Sequence, residues 1–313
     1  MNSRPAHGRF CVTTGKTFRL KDVDPAETEG LQKEAAQDGL REGIGRLGNL
    51  QERLYAQDRW GLLVIFQAMD AAGKDGTIKH VLSGINPMGV QVSSFKAPSS
   101  EELDHDYLWR TTNRLPERGR IGIFNRSYYE ETLVVRVHEA ILAGQRLPAP
   151  LVTPDIWKER YEDINAFERY LTRNGFVILK FFLHVSKAEQ KRRFLNRLDE
   201  PDKHWKFSIQ DVEKRREWDK YMKAYEDTIR ATSTPQAPWH VVPADHKWFT
   251  RLVVADTIVS ALERIKPAFP TLSAAEKRAL TSARRALERK SGRAWTSRPI
   301  RSSWCSQVPS TNS

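Results

Sequence analysis

One stretch limits what this chain can fold into more than any other: residues 61–77, GLLVIFQAMDAAGKDGT, with IKHVLSGI directly after it. GLLVIFQ is a short apolar run bounded by Gly, the pattern of a strand buried on both faces inside a parallel sheet. A Gly-rich turn and a helix start follow. In a strand–turn–helix unit the turn's backbone N–H groups converge where the helix dipole adds partial positive charge, which suits a phosphate. Residues 66–77 match the phosphate-loop pattern G-x-x-x-x-G-K-[ST] except at two positions: Ala68 replaces the first Gly, and Asp75 replaces the metal-binding Ser or Thr. Ala71, Ala72, Gly73 and Gly76 would surround the phosphates, Lys74 would supply a point charge, and Thr77 would enter the helix. Ala68 preserves the turn if its backbone angles are ordinary. Asp70 and Asp75 should be repelled by phosphate unless a cation intervenes or the side chain turns away. They suit Mg²⁺ ligation, acid–base work on an incoming phosphate, or helix capping.

The rest of the chain alternates in the same way. Strands are expected at residues 61–67, 89–95, 120–125, 176–185 and 239–244, with helical patterns between them. Ser99 with Glu102, and Ser186 with Glu189, have capping-box spacing. Residues 154–175 place Ile156, Tyr161, Ile164, Phe167 and Leu171 near one helical face and stop at Gly175. The fold class is therefore α/β, with a largely parallel sheet of about five strands and helices on both faces. A long helical pattern at 28–58 precedes the first strand. Residues 1–27 read as an N-terminal arm, 28–268 as the α/β domain and 269–313 as a basic, poorly ordered tail with a helix at 273–290.

Charge is unevenly distributed. Nine Lys or Arg against two acids after residue 270 give the tail seven of the chain's +12 net charges. Such a tail is either a solvated extension or a device that attracts a polyanion. No run approaches the roughly 20 apolar residues of a membrane span, and the N-terminus lacks a signal-peptide core. A cytoplasmic, reducing compartment is expected, with Cys11 and Cys305 as free thiols.

Two further segments carry candidate chemistry. FNRSYYEE begins at the end of the third expected strand, where open α/β sheets place ligands. It offers Asn125, Arg126 and Glu130. Residues 191–206 hold Lys191, Arg192, Arg193, Arg197, Lys203 and Lys206, with Phe194 and Trp205 as apolar anchors. A basic helix closing over phosphates would exclude water, and hydrolysis is the competing reaction of any phosphoryl donor.

FQAMDAAGKDGTIKHV, SFKAPSSEELDHDYLWR, GRIGIFNRSYYEE and EPDKHWKFSIQD, in that order, resemble the family-2 polyphosphate kinases, in particular the class acting on both nucleoside mono- and diphosphates. The similarity runs from about residue 30 to 268. It implies a P-loop kinase-like three-layer sandwich close to thymidylate kinase, with a helical lid at about 187–215, and Mg²⁺-dependent transfer of a terminal phosphoryl group between polyphosphate and AMP or ADP, giving ADP and ATP. Mn²⁺ is the alternative cation, and a homo-oligomer is implied. Asp70, the candidate Mg²⁺ ligand, and Lys74 match the family's loop acid and lysine, and Arg126 matches an arginine at the phosphates. The loop residues with Asp75 and Thr77, and Arg192, Arg193, Arg197 and Lys206 of the lid, would hold polyphosphate. Lys96, Pro98, Asn125, Glu130 and the lid acid Asp211 would border the nucleotide. Asn125 departs from the Asp of many members, which lowers the negative charge there. Two rivals are an ATP-dependent nucleoside monophosphate kinase, disfavoured by Asp75, and a nucleic-acid-binding protein using the tail. Neither a membrane nor a nucleic acid is the expected partner.

Overall fold

The computed structural model describes residues 8–290. Six strands form one sheet: β1 (Cys11–Val12), β2 (Gly61–Gln67), β3 (Val90–Ser94), β4 (Ile121–Asn125), β5 (Phe176–His184) and β6 (Trp239–Pro243). Their order is β1-β6-β5-β2-β4-β3. Neighbours among β2 to β6 pair in parallel, whereas β1 runs antiparallel to β6. The five strands expected from apolar runs are present. The sixth is not legible in sequence, because two residues are too few to show an alternation.

Every residue of β2 is buried, which accounts for its unbroken apolar run. Helices α1 (Lys33–Gln57) and α2 (Lys74–Val81) flank it in sequence. Four single-turn helices follow: α3 (Ser100–Leu103), α4 (Trp109–Thr112), α5 (Val134–Val137) and α6 (Ala140–Ala143). Next come α7 (Ile156–Arg173), α8 (Lys187–Asp199), α9 (Ile209–Arg216), α10 (Trp218–Thr232) and α11 (Lys247–Ile265). The apolar helix α11 packs on β5 and β6 with α1 and α2 beside it, while α7 packs on β5 and against α10. The chain divides into two compact units between Phe269 and Pro270. Within the second lies α12 (Ala274–Lys290). No described helix is long and apolar enough to cross a membrane.

Residues 8–27 are built into the first unit. Val241 N–H donates to Phe10 O (2.8 Å), and the buried Phe10 ring meets Phe249 edge-on at 5.9 Å. Gly15 lies against Arg230 so closely that a Cβ would sit 2.0 Å from its carbonyl oxygen, which excludes any larger residue. Cys11 is a free thiol; Cys305 lies outside the described residues.

Helix α7 buries Ile156, Ile164 and Leu171 as its spacing predicts, but Arg160 and Glu168 share the buried stripe. Glu168 meets Lys180, which is fully buried in β5. Lys180 Nζ donates to Glu168 Oε2 (2.7 Å), Thr232 O (2.7 Å) and Tyr129 Oη (3.0 Å), so all three of its protons have acceptors. Tyr128 and Tyr129 both donate to Glu168 Oε1, at 2.9 and 2.7 Å. The two tyrosines of NRSYYEE thus root that motif in a buried ion pair. Lys180→Ala leaves the Glu168 charge uncompensated and is expected to cost about 3–5 kcal/mol. Lys180→Met with Glu168→Gln should regain most of that loss. Urea unfolding of the single and double variants checks both statements, and a single-variant loss below about 1 kcal/mol contradicts them.

Candidate active site

Strand β2 ends at Gln67, and the chain turns through residues 68–73 into α2. Ala68 is not among the left-handed residues, so it replaces Gly without strain; Ala71 (φ 64°) and Gly73 (φ 110°) are left-handed. A non-glycine residue in that region costs about 1–2 kcal/mol, and α8 holds the turn in place. Gln190 Nε2 donates to Asp70 O (3.0 Å), and Arg193 NH1 donates to Ala71 O (3.0 Å) and Ala72 O (2.6 Å). Three successive carbonyls therefore face α8. Because each peptide is planar and trans, the N–H groups of Ala71 and Gly73 point away from α8.

Arg193 does not meet its expected role as a polyphosphate ligand. Its Nε donates to Glu189 Oε1 (2.7 Å), and NH2 donates to Ala244 O (2.6 Å) and Asp245 O (3.0 Å). With the two loop bonds, all five N–H groups are committed to protein acceptors, and the side chain is 5 % exposed. Arg193 positions the loop instead. Ser186 and Glu189 form only half a capping box: Ser186 Oγ accepts from Glu189 N–H (3.1 Å), but the Glu189 carboxylate turns to Arg192 and Arg193. Arg192 is held bidentately by Glu189 on an exposed surface.

Charged side chains from the segments that follow β2 and β4 and from the lid meet at the loop. Arg126 stands just past β4, itself left-handed (φ 66°), and its N–H donates to Phe66 O at 3.0 Å. Its guanidinium bridges Asp70 Oδ1 (3.2 Å) and Glu130 Oε2 (3.4 Å). Lys214 of α9 reaches Asp70 Oδ2 at 3.7 Å. Lys74 Nζ donates to Ala68 O at 3.0 Å. Burial raises the Asp70 carboxyl, but Lys74, Arg126, Lys214 and Arg197 outweigh it and hold the group below its ordinary pKa. Burial dominates for Glu130 and pushes its carboxyl upward despite Arg126 and Lys74. The two carboxyls on one guanidinium are thus shifted in opposite directions.

Asp75 turns aside, as electrostatics requires beside phosphates: Asn125 Nδ2 donates to its Oδ1 at 2.8 Å. Gly76 and the buried Thr77 lie within the first turns of α2. Gln67, with its amide oriented to satisfy both ends, donates to Glu130 Oε1 (2.9 Å) and accepts from Ser127. Arg197 stacks on buried Phe194 and lies 3.8 Å from Asp211, whose carboxyl is raised by burial and by Asp70. Lys96 and Pro98 follow β3 along the sheet edge, where Phe95 N–H donates to Asn125 O (3.1 Å). Among the described contacts Lys96 meets Arg110 through its backbone and does not touch the loop. The Lys206 side chain lies outside the described residues. Trp205 is 77 % exposed, so it is no anchor of the lid, whereas Phe194 is one.

Lys214 and Gln190 were missed. Lys214 is the first of three consecutive basic residues, and nothing in KRR tells which one turns inward. The i, i+3 spacing from Asp211 was the available signal. Tyr221 and Tyr225 were missed as well; burial, with Glu130 nearby, raises both phenols above their ordinary pKa.

Comparison with known proteins places the chain in a family. The polyphosphate kinase 2 (PPK2) family profile matches residues 30–270. An ADP-polyphosphate phosphotransferase of Rhodopseudomonas palustris is 53 % identical over 256 residues, 82 % of this chain and 89 % of the relative. An AMP/ADP-polyphosphate phosphotransferase of Meiothermus ruber is 46 % identical over 264 residues, 84 % of this chain and 95 % of the relative. The crystal structure of polyphosphate kinase 2 from Arthrobacter aurescens TC1 superposes with a TM-score of 0.79 at 41 % identity, covering 87 % of this chain and 95 % of that one. With a profile match across most of its length and relatives this similar, the chain belongs to the polyphosphate kinase 2 family.

Proposed function

We propose that this enzyme transfers the terminal phosphoryl group of inorganic polyphosphate to AMP and ADP, giving ADP and ATP. The observation that carries the reading is the phosphate loop itself: its carbonyls are drawn toward α8, and Asp70 is held ionised among Lys74, Arg126 and Lys214. The names of the two relatives, one an ADP and one an AMP/ADP enzyme, support both acceptors. In this reading Lys74 and Arg126 neutralise charge that spreads over the transferring phosphoryl group. Such transfer depends on positioning and electrostatics more than on covalent chemistry. Asp70 orients the acceptor phosphate, and Arg197 and Lys214 come in from the lid and help to exclude water. The ATP-dependent monophosphate kinase lacks support, because the hydroxyl of an ordinary ATP loop is replaced by Asp75, tied to Asn125. Purified protein with Mg²⁺ and long-chain polyphosphate should convert AMP and ADP to ATP without another donor; no product from either acceptor refutes the proposal.

Mg²⁺ is part of the proposal. Among the described residues no cluster of three or more His, Cys, Asp or Glu could cage a metal. Asp70 fits the other mode, in which one or two carboxylates share Mg²⁺ with substrate phosphates and water. When bound there, the ion would add positive charge for the phosphates. Asn125→Asp tests how that negative charge is set. The substitution exchanges the 2.8 Å hydrogen bond to Asp75 for two facing carboxylates, which should destabilise the fold by about 1 kcal/mol without a divalent cation and lower Tm by about 2–4 °C. Millimolar Mg²⁺ should restore Tm in the variant and leave the unsubstituted protein unchanged. Equal Mg²⁺ responses in the two proteins contradict this account.

A further inference from the structure

The family profile stops at residue 270, at the same step where the chain divides into two compact units. The segment beyond it carries seven of the twelve net positive charges, and α12 gives part of that charge a definite arrangement. Lys277, Arg278, Thr281, Ser282 and Arg285 line one open groove along the helix. Their spacing, at i, i+1, i+4, i+5 and i+8, keeps them on one face. At 1.5 Å rise per residue the stripe is about 12 Å long.

The nearby acids are engaged elsewhere. Glu276 accepts from both the N–H and the hydroxyl of Ser273, each at 2.7 Å, and caps the helix start; Glu288 pairs with Arg284 at 2.8 Å. Among the described residues no carboxylate pairs with Lys277, Arg278 or Arg285. Among the described residues the result is a line of three cations with no paired carboxylate; Thr281 Oγ1 donates to Lys277 O (2.9 Å), which leaves Ser282 as the hydroxyl beside them.

We propose that this stripe is a second polyphosphate site, which holds a distant stretch of the same long chain whose end is being consumed. The inference rests on polyphosphate being the donor. A linear polyanion needs neither base-edge readout nor a shaped pocket, only donors in a row, and its binding is driven by counter-ion release. Two features of α12 favour polyphosphate over other anionic partners. The helix has no aromatic residue on which a base could stack, as single-stranded nucleic acid binding requires. Its large apolar residues are Leu280 and Leu287 alone, too thin a face for insertion at a membrane surface. Because α12 and the catalytic unit are one polypeptide, a chain long enough to occupy both sites binds the second at an effective concentration in the millimolar range. A chain of three phosphates engaged at the loop has no further length to place on α12 and gains nothing.

The test uses the full-length protein with Lys277→Gln, Arg278→Gln and Arg285→Gln combined; Gln retains helix propensity. KM for polyphosphate of about 100 units should rise about 5–10-fold. KM for tripolyphosphate, KM for ADP and kcat should stay within about twofold, and the salt slope of long-chain binding should fall by about 2. An unchanged long-chain KM overturns the inference. So does an equal rise for long and short chains, which would mean general attraction without a second contact. A loss of duplex-DNA binding with unchanged polyphosphate kinetics overturns it in favour of nucleic acid. Leu280→Ser with Leu287→Ser should leave both KM values unchanged; a long-chain KM that responds to this pair and not to the cations also overturns it. ATP formation by the unsubstituted protein in the same series separates failure of this inference from failure of the functional reading.

Discussion

Asp70→Asn should lower kcat for ATP formation about 10³-fold and at the same time reduce KM for polyphosphate. The two changes have opposite signs because the carboxylate has opposite effects on ground state and reaction. It sits beside the phosphate loop as an anion, kept ionised by four cations in spite of its burial, and so repels a polyanionic donor that has merely bound. The amide removes that repulsion while retaining nearly the same shape. What it loses is the charge that would orient the acceptor phosphate or share a cation with it. The variant leaves Arg126 and Lys214 without their Asp70 partner, so a thermal melt should accompany the kinetics and separate misfolding from lost chemistry. Initial rates with polyphosphate varied at saturating ADP provide the check. A variant retaining more than a tenth of the kcat would show that Asp70 is not required at the reacting centre.

Lys74→Ala should be at least as severe, lowering kcat/KM by about 10³–10⁴-fold, or roughly 4–5 kcal/mol of transition-state stabilisation. Burial, with Arg126 beside it, pulls the Lys74 ammonium below its ordinary pKa, against Asp70, Glu130 and Asp75. Its bond to Ala68 O spans the mouth of the loop. A compact charge in that position can follow the phosphoryl group as its charge redistributes, whereas the planar fork of an arginine cannot occupy the same space. Lys74→Arg is therefore expected to recover less than about a tenth of the activity. Full recovery by Arg would mean that only net charge matters at this site.

Where the fold was legible, the reason is that burial left a periodic trace. The apolar runs gave the five parallel strands, and the Ser99–Glu102 spacing gave a reciprocal capping box that is present. The phosphate loop was legible because backbone geometry requires Gly at position 73, where φ is 110°. Buried polar residues left no such trace. Arg193 lies in a basic segment that reads as a phosphate clamp, and only the fold shows its carbonyl partners at residues 71, 72, 244 and 245. Lys180 interrupts FVILKFFLHV as if by accident, and its acceptors come from α7, α10 and the turn after β4, none of them near in sequence. Trp205 shows the converse: a large aromatic residue among charges suggests an anchor, yet it faces solvent.

The commitment of every Arg193 donor has a consequence for how such an enzyme can diversify. The loop that would cradle phosphate is fastened to the first two turns of α8, so those turns belong to the fixed part of the catalytic unit. Beyond Arg193, Lys214 reaches the loop through its ion pair with Asp70, Arg197 pairs with Asp211 inside the lid, and Arg215 ties α9 back to Lys187 O and Gln190 Oε1 of α8. The cradle is therefore fixed by the start of α8, and the cover meets it through a few polar contacts at Lys214 and Arg215. Exchanging the 198–213 segment between relatives can alter how a donor is covered while the cradle keeps its shape, which makes the lid the natural place to retune donor length or water exclusion.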